Sequence, residues 1–224
     1  ISESTETIPI NVLYVLDESY SMMWTMDGNY PDKEDGKTGS NPSGDNKYPN
    51  DDSNEDPYEY SFERYEAMLD AMDELNTTLK NNSSLDVQVA LVEFAGSTAG
   101  VEGNTQQQRI DWMPLANANL PSEEDVKWEN FATGTNYGAA IHDAKDVLNK
   151  IPQKRQDAET VVIFITDGEP NRAAYNTSST SGDAMGYATD EIADLEADRF
   201  YAIGVGDDQF EKNLEDLVAA IDKD

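Results

Sequence analysis

Val12-Leu13-Tyr14-Val15-Leu16-Asp17-Glu18-Ser19-Tyr20-Ser21-Met22 joins an apolar run to an acid, followed by hydroxyls at alternate positions. The run falls far short of the roughly 20 apolar residues that a membrane helix needs. Its near-continuous apolarity fits a strand buried on both faces, as in a parallel sheet. Side chains alternate along a strand, so Asp17, Ser19 and Ser21 can turn toward one point at the lip of the sheet. All three are hard oxygen donors, which suit Mg²⁺ or Ca²⁺ rather than Zn²⁺ or copper.

The same theme returns at Val161-Val162-Ile163-Phe164-Ile165-Thr166-Asp167-Gly168, a second apolar run ending in an acid. Helical spacing of Tyr65, Met68, Leu69, Met72, Leu75 and Leu79 predicts a first helix, with Ser61 as its N-cap. Val87 to Phe94 reads as the next strand and Arg109 to Leu115 as a short one, and Ser122 to Phe131 suggests a short helix. Gly134-Thr135-Asn136-Tyr137-Gly138 is a turn that opens directly into a helix at Ala139 to Lys150. A helix around Ala184 to Ala197, a core strand at Phe200 to Gly206 and an amphipathic helix at Phe210 to Ile221 complete the order. Strands alternating with helices predict an α/β fold, a doubly wound and mostly parallel sheet with helices on both faces. In such a sheet ligands bind beyond the carboxyl ends of the strands, where Asp17 and Asp167 both fall.

No repeat or second core interrupts this pattern, so residues 1–224 read as one domain. Two stretches are not periodic. Residues 24–60 are rich in Gly, Pro, Asn, Ser and acids and read as an arm-like acidic insertion, and residues 96–108 read as a second polar loop. The insertion does not match the calcium-loop spacing of an EF-hand.

The net charge of −31 excludes the basic footprint that nucleic acid or an anionic membrane surface requires. It fits an extracellular, cation-rich setting. The absence of Cys removes disulfides, thiol catalysis and zinc-finger readings. The start of the chain carries neither an initiator Met nor a signal peptide, so the expectation is a monomeric domain within a larger polypeptide.

Taken together, Asp17-x-Ser19-x-Ser21-Met22, Gly134-Thr135-Asn136 and Thr166-Asp167-Gly168-Glu169-Pro170 resemble the von Willebrand factor type A domain family. Arg64-Tyr65-Glu66-Ala67 and Ile203-Gly204-Val205-Gly206 extend the likeness over nearly the whole chain outside the polar loops. The resemblance implies a metal-ion-dependent adhesion site with no enzymatic chemistry. Ser19, Ser21 and Thr135 would supply hydroxyl ligands, and Asp17 and Asp167 would act directly or through water. The bound Mg²⁺, Mn²⁺ or Ca²⁺ would keep one position for an Asp or Glu carboxylate of a partner protein, such as one of the host extracellular matrix. The insertion after the metal loop resembles the arms of Gram-positive pilus-tip adhesins, implying a cell-wall-anchored parent at the cell surface. Tyr20 replaces the family's usual Gly, and Glu18 adds a charge beside the loop; with Glu169 these are the expected ligand-contact residues.

Blander readings stand beside these. Asp and Ser at a strand end also serve as turn and cap residues. A purely structural metal, with binding through the insertions, is the first alternative function, and a metal-dependent hydrolase the second. The hydrolase lacks the second Asp of a phosphoaspartyl site. The lone His142 reads as a surface or packing residue. Gly204-Val205-Gly206 lacks the third Gly of a dinucleotide fingerprint, and Asp207-Asp208 would repel a pyrophosphate.

Overall fold

The computed structural model describes residues 6–27, 62–101, 107–123, 130–206 and 210–221. Five strands form one sheet: β1 (Ile8–Asp17), β2 (Leu85–Phe94), β3 (Arg109–Pro114), β4 (Glu159–Thr166) and β5 (Arg199–Gly204). Their order across the sheet is β3-β2-β1-β4-β5. All neighbours are parallel except β3, which runs antiparallel to β2 at one edge. β1 sits in the middle, and the order reverses direction on its two sides, which makes its carboxyl end the switch point.

Four helices cover the sheet: α1 (Glu63–Asn81), α2 (Tyr137–Leu148), α3 (Ala184–Ile192) and α4 (Glu211–Ile221). The alternation of β1 divides the core cleanly. Val12, Tyr14 and Leu16 pack with Tyr65, Met68, Leu69 and Met72 of α1, together with Met22 and Met23. Leu13 and Val15 face the opposite cluster, built from α2, α3 and α4 around Phe94, Tyr137 and Phe164. Those three rings stack or meet edge to face with centroids 5.0–6.3 Å apart. The expected doubly wound architecture is therefore present.

Three local expectations fare differently. β5, expected in the core, is an edge strand that pairs, among the described residues, only with β4, and its Tyr201 and Ile203 are exposed at 49% and 42%. The cap expected at Ser61 lies outside the described residues. Helix α1 follows Phe62, whose left-handed φ of 49° is held where its ring meets Phe131 at 5.6 Å. Most of the helix expected at Ser122 to Phe131 also lies outside the described residues, as do residues 28–60 of the insertion and 102–106 of the second loop.

The two ends of the insertion are nonetheless joined. Phe62 N donates to Met23 O at 3.3 Å, and Met26 N donates to Glu63 Oε2 at 2.9 Å. The insertion thus leaves and re-enters the fold at one place, directly beyond the loop that follows β1.

Candidate metal centre

Asp17 is the last residue of β1 and is fully buried. Its Oδ1 accepts from Ser19 N at 2.7 Å and its Oδ2 from Thr166 Oγ1 at 2.5 Å. Both oxygens are thus engaged in shaping the loop and tying it to the end of β4. A short 3-10 turn, Tyr20–Met23, follows, anchored by the buried Met22 and Met23. It brings Ser19 Oγ to 3.0 Å from Ser21 Oγ, and Ser21 Oγ donates to Asp167 Oδ1 at 2.8 Å. Two hydroxyls from one strand end and a carboxylate from another therefore meet at one rim.

Thr135 is tied through its backbone to Asn171, in the loop that follows Asp167. Its N–H donates to Asn171 Oδ1 at 2.9 Å, and its carbonyl accepts from Asn171 N at 2.8 Å. The next residue, Asn136, donates its N–H to Ala95 O at 2.8 Å, just past the end of β2. The Asn136 side chain caps α2 by accepting from Ala139 N at 3.0 Å, and it donates to Gly96 O and Ala174 O at 3.2 and 2.9 Å. The Gly134 turn is thereby clamped between the loops leaving β2 and β4. Gly134 has a φ of +90°, and a Cβ there would press on the Arg172 guanidinium, so any side chain at this position is strained.

The electrostatics follow from burying two acids side by side. Burial, and then the nearby Asp167, push the Asp17 carboxyl up to about 7, against hydrogen bonds from Thr166 and Ser19. Burial raises the Asp167 carboxyl above its ordinary value, against the opposing pull of the Arg64 guanidinium and the Ser21 hydroxyl. Arg64 Nη1 bonds Asp167 Oδ2 at 2.9 Å, with both side chains almost wholly buried. Arg64 joins this cluster although its chemistry did not single it out in the sequence; its signal was its place in the motif that opens α1.

Of the expected ligand-contact residues, Glu169 is exposed, and Tyr20 is half-buried with its ring against the α1 side of the core. Glu18 is not at the surface. It is 1% exposed and turns inward, where its Oε1 accepts from Tyr65 OH at 2.9 Å. It faces the equally buried Glu93 of β2, whose Oε2 accepts from Gln108 N at 2.6 Å. The remaining oxygens, Glu18 Oε2 and Glu93 Oε1, have no donor among the described residues. Burial and the opposing Glu93 push Glu18 well above the usual carboxylate range, and burial pushes Glu93 up to about 7. The physical reason is parity: Glu18 shares the side of β1 occupied by Leu16, which faces α1.

The donor set fits a hard divalent ion. Adjacent oxygens around Mg²⁺ lie about 2.9 Å apart, given Mg–O distances of about 2.0–2.1 Å in an octahedron. The Ser19–Ser21 and Ser21–Asp167 spacings of 3.0 and 2.8 Å match that edge length. Among the described residues no three His, Cys, Asp or Glu side chains cluster as a metal site. Hydroxyls, not additional acids, would complete such a donor set.

Comparison with known proteins agrees with this architecture. The von Willebrand factor type A domain profile matches residues 51–169, which include Thr135 and Asp167 but not the Asp17–Ser21 loop. The minor pilin PilB of Streptococcus sanguinis is similar in structure, with a TM-score of 0.58 and 16% identity over 98% of this chain and 56% of that one. The pilus adhesin SpaC of Lactobacillus rhamnosus GG gives 0.57 and 14% identity over 94% of this chain and 27% of that one. This chain thus spans about half of the first protein and about a quarter of the second. At such identity the likeness speaks for the fold. No curated protein matches the sequence. With the profile covering more than half of its length, the chain belongs to the von Willebrand factor type A domain family.

Proposed function

We propose that this domain is an adhesion module of a cell-surface, pilus-associated protein, and that it binds a partner protein through a divalent cation. The observation that carries the reading is the Ser19–Ser21–Asp167 oxygen cluster, spaced at 3.0 and 2.8 Å where the ends of β1 and β4 meet. Ser19, Ser21, Thr135 and Asp167 would hold the ion, while Asp17, with both oxygens already engaged, fixes the loop from behind. When bound, Mg²⁺, Mn²⁺ or Ca²⁺ supplies a Lewis-acidic position for an Asp or Glu carboxylate of the partner.

Neutral hydroxyls serve this purpose better than further carboxylates. They orient without neutralising, so affinity for an incoming carboxylate is retained. The half-buried Tyr20 and exposed Glu169 border the rim and would shape which partner fits. Similarity to a minor pilin and a pilus adhesin supports the surface setting. No helix among the described residues is long and apolar enough to cross a membrane.

The test is calorimetric titration of the metal-free chain with Mg²⁺ and Mn²⁺. One site is expected, lost in Asp167→Asn and weakened about 10–100-fold in Asp17→Ala, where the supporting hydrogen bonds disappear. Unchanged uptake in Asp167→Asn would overturn this reading.

A further inference from the structure

Resting on that reading, we propose that Arg64 is the built-in counter-charge of the site, setting how the ion's charge is divided between this protein and its partner. The residue is held as a fixture rather than as a surface cation. Its Nη1 bonds Asp167 Oδ2 at 2.9 Å, its Nε donates to Thr25 O at 3.0 Å, and its guanidinium carbon lies 5.5 Å from the Trp24 ring centroid. The residue is 2% exposed. Room for it is made across the rim, where Gly206 has a φ of +97° and a Cβ would come within 2.8 Å of the guanidinium.

Two consequences follow from this placement. Arg64 takes one oxygen of Asp167 and leaves the other, Oδ1, for the Ser21 side of the site. It also leaves the Asp17 and Asp167 carboxylates and the guanidinium with a single net negative charge. A divalent ion then makes the centre positive by one unit, a charge that only an outside anion neutralises. Without Arg64 the two carboxylates alone would balance the ion, which would bind more tightly and attract a partner's carboxylate less. A guanidinium suits the task because its planar fork holds two directions at once, one toward Asp167 and one toward Thr25 O.

The counter-charge role and a merely structural role predict opposite signs. Removal of an outer partner that only orients a ligand weakens metal binding by about 10–100-fold. Removal of a counter-charge strengthens it. The experiment uses the full 224-residue chain, wild type, Arg64→Gln and Arg64→Lys, with Mg²⁺ affinity read by calorimetry. Acetate serves as the probe carboxylate, its affinity read on Mn²⁺-loaded protein from relaxation of the methyl signal. Arg64→Gln is expected to bind Mg²⁺ about tenfold tighter and acetate severalfold more weakly. Arg64→Lys, which keeps the charge but not the fork, is expected to stay within about threefold of wild type in both.

Mg²⁺ affinity in Arg64→Gln equal to or below wild type overturns the proposal while leaving the adhesion reading intact. If Arg64→Gln does not fold, Arg64→Lys decides: near-wild-type affinity supports the counter-charge, and a loss beyond about tenfold overturns it. A wild-type chain that takes up neither Mg²⁺ nor Mn²⁺ removes the adhesion reading and this proposal together.

Discussion

Glu18 and Glu93 face each other in the core, and burying two carboxyls together has a thermodynamic consequence. Burial pushes the Glu93 carboxyl from an ordinary value of 4.5 up to about 7. A folded-state value above the unfolded one means that the protonated form is favoured by folding. Its contribution is fully present below about pH 4.5 and is lost as pH rises through about 7. Glu93→Gln keeps an oxygen for Gln108 N–H and gives Glu18 an amide donor in place of a rival carboxylate. In chelator at pH 8 the variant should be more stable than wild type by about 2 kcal/mol, with little difference at pH 5. Urea unfolding at the two pH values measures this; equal stability at pH 8 would show that the pair carries no charge penalty. The inward turn of Glu18 was legible in principle. The same alternation that gathers Asp17, Ser19 and Ser21 sends Glu18 and Tyr20 to the Leu16 side, where both are found against the α1 half of the core. What the sequence does not display is that Glu93 of β2 would stand opposite, because that depends on the β1–β2 register.

At the scale of elements, the ends of β1 and β4 were readable because an apolar run that stops at an acid marks both two-sided burial and the rim. The position of β5 was not readable. Phe200-Tyr201-Ala202-Ile203 is as apolar as a central strand, and only the long-range pairing order makes it an edge. The place of Thr135 was suggested by the Gly-rich turn before its helix and by family likeness, but not its partners, since the contacts that hold this turn come from Ala95, Gly96, Asn171 and Ala174. Asn136 carries that arrangement at the start of α2. Asn136→Ala removes the cap and strands two carbonyls, a loss of about 3 kcal/mol or roughly 6–12 °C in Tm. Asn136→Asp restores the cap acceptor but turns an anion toward Gly96 O and Ala174 O, so it should recover little of that loss. Thermal unfolding of the two variants separates the contributions; full rescue by Asp would mean that capping alone matters.

For the whole molecule the dominant fact is charge, with 15 Lys and Arg against 46 Asp and Glu. Several of the cations are committed to ion pairs, among them Arg64 with Asp167, Arg109 with Asp146, Lys145 with Glu191, Arg155 with Asp86 and Arg199 with Glu159. The acid excess is therefore left to repel itself across the surface, and such self-repulsion destabilises a compact state. Exposed ion pairs pull the other way, since salt weakens them, but each is worth only about 0–1 kcal/mol. Repulsion summed over a net charge of −31 outweighs them. Screening shrinks from about 30 Å at 0.01 M salt to about 3 Å at 1 M, so adding NaCl should raise Tm steadily by several degrees over that range. KCl should act as NaCl does, because screening does not distinguish the two ions. MgCl₂ at matched ionic strength should stabilise further through the site, by RT ln(1 + [L]/Kd), and that excess should vanish in Asp167→Asn. A Tm that falls as NaCl rises would show that paired charges, not the acid excess, govern the stability of the domain.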